Sequence, residues 1–145
     1  MSNVTTTTTI TEAPAITLTN RLRVANFSSP HPFHFEDGVV LEACDEARSR
    51  ALSMERADME VPWPVDLVNV LGPVWAVRPV FGLTELVLEE LNKLQEAWDV
   101  EVILVPFPML QALQLAKLDD RYNKAATIIV ADRIKKTIKI DRFGR

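Results

Sequence analysis

The stretch Leu83-Thr84-Glu85-Leu86-Val87-Leu88-Glu89-Glu90-Leu91-Asn92-Lys93-Leu94-Gln95-Glu96-Ala97-Trp98, followed after Asp99 by Val100-Glu101-Val102-Ile103-Leu104-Val105, decides the fold class. Leu83, Leu86, Val87, Leu91, Leu94 and Trp98 recur at three- and four-residue spacing and share one helical face. Glu85, Glu89, Lys93 and Glu96 fall largely on the other side. Thr84 suits the cap of this helix, and Glu85 suits the positive end of its dipole. Val100–Val105 reads as a short buried strand. Pro106 and Pro108 then open a second helix to about Leu118, with Pro108 in its first turn. Thr127–Val130 reads as another buried strand. Helix, strand, helix, strand is the pattern of a parallel crossover.

Towards the N-terminus, Leu22–Phe27 reads as a strand interrupted by the turn chemistry of Ser28-Ser29-Pro30-His31-Pro32. Glu36-Asp37-Gly38 between Phe33–Phe35 and Val39–Leu41 is a hairpin signal. Asp45 to Met59 holds good helix formers, with Asp45 as N-cap and Pro62 as stop. Pro62-Trp63-Pro64 is a stiff connection, because proline fixes its own φ and restrains the residue before it. Leu67–Leu71 and Val74–Val80 read as strands broken by Gly72-Pro73, and Pro79 puts the second at an edge or marks its end. Towards the C-terminus, Ile134, Ile138 and Ile140 share one side of a final strand whose other side is Lys135, Thr137 and Lys139. The expectation is a single α+β domain, residues 20–145, with a mixed sheet and two or three helices. It follows a Thr-rich tail, residues 1–19, expected to be disordered.

The chain has 145 residues, 48% of them hydrophobic and 25% charged, which fits one soluble domain with its own core. No stretch approaches the ~18 consecutive apolar residues of a membrane helix, and no secretory signal opens the chain. With one cysteine, Cys44, neither an internal disulfide nor a multi-thiolate metal site can form. A reducing, cytoplasmic setting is expected.

No catalytic constellation, metal site or cofactor motif emerges. His31 and His34, near Glu36 and Asp37, suggest a metal-dependent hydrolase, but residues three apart on an extended chain point to opposite faces unless a turn intervenes. His34-Phe35-Glu36 is half of a zinc-deaminase signature whose cysteine pair is missing. Cys44 with His34 lacks an orienting third residue and a strand-turn-helix elbow. Gly82-Leu83-Thr84 has no glycine-rich loop or lysine at phosphate-binding spacing.

Charge is the informative pattern. The net charge is −4, yet Arg121 to Arg145 carries eight basic residues against two acids, Asp132 and Asp141. Arg133, Lys135, Lys136, Lys139, Arg142 and Arg145 are the expected contact residues for an anionic small molecule or an acidic partner. A solvated or edge-protecting lysine face explains the same pattern without a ligand. Tyr122 and Phe143 are the only aromatics there, too few for a single-strand nucleic-acid platform. Trp63, stiffened by its flanking prolines, is the expected interface side chain or else a lid over the core.

The segment Arg23-Val24-Ala25-Asn26-Phe27-Ser28-Ser29-Pro30-His31-Pro32-Phe33 resembles the opening of small phage and prophage proteins. Those begin with a strand ending Asn-Leu-Thr-Pro-His, followed by a short apolar hairpin. Here Ser28-Ser29 replaces the single threonine, one residue too many. Val102-Ile103-Leu104-Val105 before a helix, with charges near Asp119-Asp120-Arg121, is similar too. The resemblance implies a viral or mobile-element origin and a role in binding a host component. The expected function is non-enzymatic binding of a host protein or an anionic small ligand in the host cytoplasm, as an anti-host or anti-defence factor. A homo-oligomer is compatible with it. The rival expectations are the hydrolase above and a virion component whose tail adds a strand to its neighbour.

Overall fold

A computed structural model describes residues 12–64, 72–97, 99–132, 134 and 137–145. The elements, in chain order, are β1 (Ala15–Thr17), β2 (Arg23–Asn26), β3 (Phe33–His34), β4 (Val40–Leu41), α1 (Glu46–Ala51), β5 (Glu55–Pro62), β6 (Trp75–Gly82), α2 (Glu85–Ala97), β7 (Val102–Leu104), α3 (Phe107–Leu115), β8 (Ala125–Asp132) and β9 (Thr137–Gly144). Five strands form one mixed sheet in the order β1-β2-β7-β8-β9. β2, β7 and β8 run parallel, and β1 and β9 flank them antiparallel. The chain is therefore α+β, and helix α3 is the crossover between parallel neighbours β7 and β8.

Both faces of the sheet are covered, and the alternation along its central strands shows how. Ala25 and Ile103 pack into a cluster with Val87, Leu91 and Leu94 of α2 and Met109, Leu110 and Leu113 of α3. Their neighbours Val24 and Leu104 face the opposite cluster, which holds Phe35, Leu41 and Ile138. A strand buried on both sides is apolar at every position, which is why Val102-Ile103-Leu104 reads as an unbroken run. Thr84 caps α2 through its hydroxyl, which accepts from the Val87 N–H at 3.2 Å. Asp45 caps α1 by accepting from the Arg48 N–H.

Four expectations change. The stretch read as tail contributes β1, with Ala13 and Leu18 buried, because Ala15–Thr17 completes the sheet against Arg23–Ala25. The helix expected over Asp45–Met59 ends at Ala51, and Glu55–Pro62 is a strand paired along its whole length with β6. Ile134 does not join the buried side of the last strand; it lies in the β8–β9 turn, 93% exposed. β8 is longer than expected, and Ile129 and Val130 in it are exposed rather than buried. The strand expected at Leu67–Leu71 and Trp98 of the helix stripe lie outside the described residues.

Candidate functional site

The loop after β2 is held from beneath by buried polar groups. Asn26 is fully buried; its amide nitrogen donates to the carbonyls of Ser29, His31 and Glu42, and its oxygen accepts from the Ser29 N–H at 3.0 Å. The Cys44 thiol donates to the Asn26 carbonyl at 2.9 Å, and burial pushes its pKa up, so it is a neutral donor rather than a nucleophile. Arg48, also buried, donates from Nε to the Phe27 carbonyl at 2.9 Å and lies over the Phe27 ring. Its guanidinium reaches Glu90 of α2 at 3.8 Å, which ties the loop to the helix layer. A segment rich in serine and proline thus becomes a fixed wall, because the carbonyls of Asn26, Phe27, Ser29 and His31 each meet a donor.

That wall closes one side of a cleft of about 610 Å3. The cleft lies past the carboxyl ends of the parallel strands, where Ser28 and Ser29 follow β2 and Val105 and Pro106 follow β7. Ligands of sheets with parallel strands commonly bind at these ends. Its apolar lining includes Phe33, Leu52, Met54, Leu104, Phe107 and Met109, and its polar lining is Ser28, Ser29, Ser49, Ser53 and Thr127. No ionisable side chain lines it. Thr127 abuts β9 at Gly144, where a Cβ would stand 2.5 Å from the Thr127 hydroxyl oxygen; only glycine lets the two strands approach there. A shallower groove beside it is lined by both His31 and His34. His31 and His34 thus border one groove, but no third ligand joins them: among the described residues no cluster of three or more His, Cys, Asp or Glu forms.

The second feature is an arm. β5 and β6 form a two-stranded sheet of their own. Trp63 stands at its far end, 44% exposed, so it is not a lid over the core. Trp75 and Val77 are 56% and 58% exposed, and Met59 and Val80 are exposed as well. The Trp63 N–H donates to the Val74 carbonyl, and in an antiparallel ladder bonded and non-bonded pairs alternate. With Pro62 opposite Trp75 and Asp58 opposite Pro79, the amides of Arg56, Asp58 and Glu60 therefore point away from β6, at an edge that no strand among the described residues covers. The edge of β6 is interrupted by Pro79, which has no N–H to offer. Arg56, Asp58 and Glu60 form a charged column beside an apolar one of Trp75, Val77, Pro79 and Phe81 on the same face.

The basic ribbon is divided. Arg133, Lys135 and Lys136 lie outside the described residues. Lys139 is paired with Glu36 at 3.3 Å, and Arg145 donates to the carbonyls of Asn123 and Asp119 at 2.8 and 3.1 Å. Arg142 is exposed and makes no ion pair among the described residues. This part of β9, past a register shift in its pairing with β8, meets the hairpin through the Glu36 N–H, which donates to the Ile138 carbonyl, and the β1–β2 turn through Asn20, which donates to the Ile140 carbonyl. Among the described residues, no strand pairing joins the arm that Trp63 ends to β9, which carries Lys139 and Arg142. The cleft and the β5 edge were not found from sequence. The edge had a signal, the alternation of Arg56, Asp58 and Glu60 with Ala57, Met59 and Val61.

No family model matches this chain, no curated protein matches it, and no solved structure matches it. No helix among the described residues is long and apolar enough to cross a membrane.

Proposed function

We propose that this chain is a non-enzymatic binding protein that captures a polypeptide partner by strand addition to β5. The observation that carries the reading is the β5 edge, uncovered among the described residues, beside an exposed apolar column. Added strands gain affinity from main-chain hydrogen bonds and specificity from side chains at alternate positions. Exposed tryptophans such as Trp63 and Trp75 supply the anchors that dominate interface energies. Arg56, Asp58 and Glu60 set the register, favouring an extended segment with an acidic residue opposite Arg56 and basic residues opposite Asp58 and Glu60. The resemblance of Arg23–Phe33 to small phage proteins supports a host protein in the bacterial cytoplasm as the partner.

The ribbon supports anion capture less well, since Lys139 and Arg145 already have partners within the chain. Photo-crosslinking side chains at positions 58 and 75 in a bacterial lysate are expected to yield the same discrete protein adduct. Glu60→Pro, which removes one outward N–H and none that faces β6, is expected to abolish both. Adducts formed from position 142 and indifferent to Glu60→Pro would transfer the function to the ribbon.

A further inference from the structure

The cleft past the carboxyl ends of β2 and β7 lies at the base of the arm, with Met54 next to Glu55 of β5, and neither Trp63 nor Trp75 lines it. We infer that it binds a small uncharged ligand with an apolar body and one or more hydrogen-bonding groups. The volume, about 610 Å3, lies within the range of small-molecule sites, roughly 300–1,000 Å3. Its chemistry fixes the ligand class. A charged group in this cleft would leave water without meeting any counter-ion, because no lining residue is ionisable. In the adjoining groove Glu46 and Arg50 pair with each other. An apolar body matches Phe33, Met54, Phe107 and Met109.

Hydrogen-bonding capacity is left over. Ser28 is 5% exposed, yet its hydroxyl has no partner among the described residues, and it lines the cleft. The hydroxyls of Ser49 and Thr127 are likewise unpartnered there. Buried hydroxyls normally find partners within the protein. Ser28 is buried and Ser49 and Thr127 are half-buried, and all three, from the loop after β2, helix α1 and strand β8, line a single largely apolar space. The wall behind Ser28 is pre-shaped by Asn26, Cys44 and Arg48, so ligand capture need not order the loop.

Titration with Nile red, an uncharged solvatochromic dye, tests the inference on the intact protein. Saturable one-to-one binding is expected, with 1-anilinonaphthalene-8-sulfonate, an anionic dye, at least ten-fold weaker. Two variants at lining positions are expected to weaken Nile red at least ten-fold while melting like the wild type: Ser53→Trp, which narrows the cleft, and Phe107→Asp, which puts a charge in it. Both residues are exposed, so neither substitution disturbs the buried core, although Ser53→Trp gives up the hydroxyl bond to the Arg50 carbonyl. The double variant Trp63→Asp/Trp75→Asp is expected to bind the dye unchanged, which separates the cleft from the arm. Absence of saturable binding, equal affinity for the anionic dye, dye binding indifferent to both cleft variants, or loss of binding in the arm variant alone would each overturn the inference.

Discussion

Asp37 joins the hairpin β3–β4 to the turn that follows β1. Its carboxylate accepts from the N–H and hydroxyl of Thr19, both at 2.9 Å, and from the Val39 N–H at 3.0 Å. Partial burial alone would raise its pKa, but these donors outweigh burial and hold it below the ordinary carboxylate value. A depressed carboxylate contributes stability above the unfolded pKa, near 3.9, and loses it as pH falls through the lower folded value. Asp37→Asn is therefore expected to be less stable than wild type at pH 7, with the gap closing below about pH 4. Urea unfolding at several pH values measures this; a gap independent of pH would contradict it. Asp37 was legible in sequence as half of an Asp-Gly turn, and Gly38 does adopt positive φ. Its second task, gripping Thr19 from 18 residues away, was not, because β1 was read as tail.

At the scale of elements, local signals identified what local forces form. Helix α2 follows its apolar stripe and its Thr84 cap, and α3 starts at its prolines. Glu55–Pro62 shows the limit: its helix-forming residues gave way to eight cross-strand pairs with β6, as tertiary context overrides propensity. The loop Phe27–Pro32 shows another. Asn26 holds it by joining carbonyls of Ser29, His31 and Glu42, and no spacing rule brings Glu42 to Asn26. Asn26→Ala leaves the Glu42 carbonyl without its side-chain donor and the Ser29 N–H unpaired, while the Ser29 carbonyl keeps the Cys44 N–H. It is expected to cost about 2–3 kcal/mol, since each unsatisfied buried group costs about 1–3 kcal/mol. Chemical denaturation reads this directly, and a loss under about 0.5 kcal/mol would mean the loop stands without the asparagine.

For the whole molecule, two covered sheet faces give a packed body, and the two-stranded arm adjoins it where β6 meets α3. Isolated hairpins are marginal in water, and an added strand would stabilise this one. The fold class was readable because the buried parallel strands and their helices carry strong periodicity. The functional surfaces were not, because a free strand edge and a cleft exist only once the chain has folded. The free edge yields its own most direct test: residue-resolved amide hydrogen exchange on the free protein and on its complex with the cross-linked partner. In the free protein, Arg56, Asp58 and Glu60 are expected to exchange at least ten-fold faster than Ala57, Met59 and Val61, and to slow at least ten-fold in the complex. Equal rates along β5 in the free protein, or protection that appears on β9 and leaves β5 unchanged, would contradict strand addition at this edge.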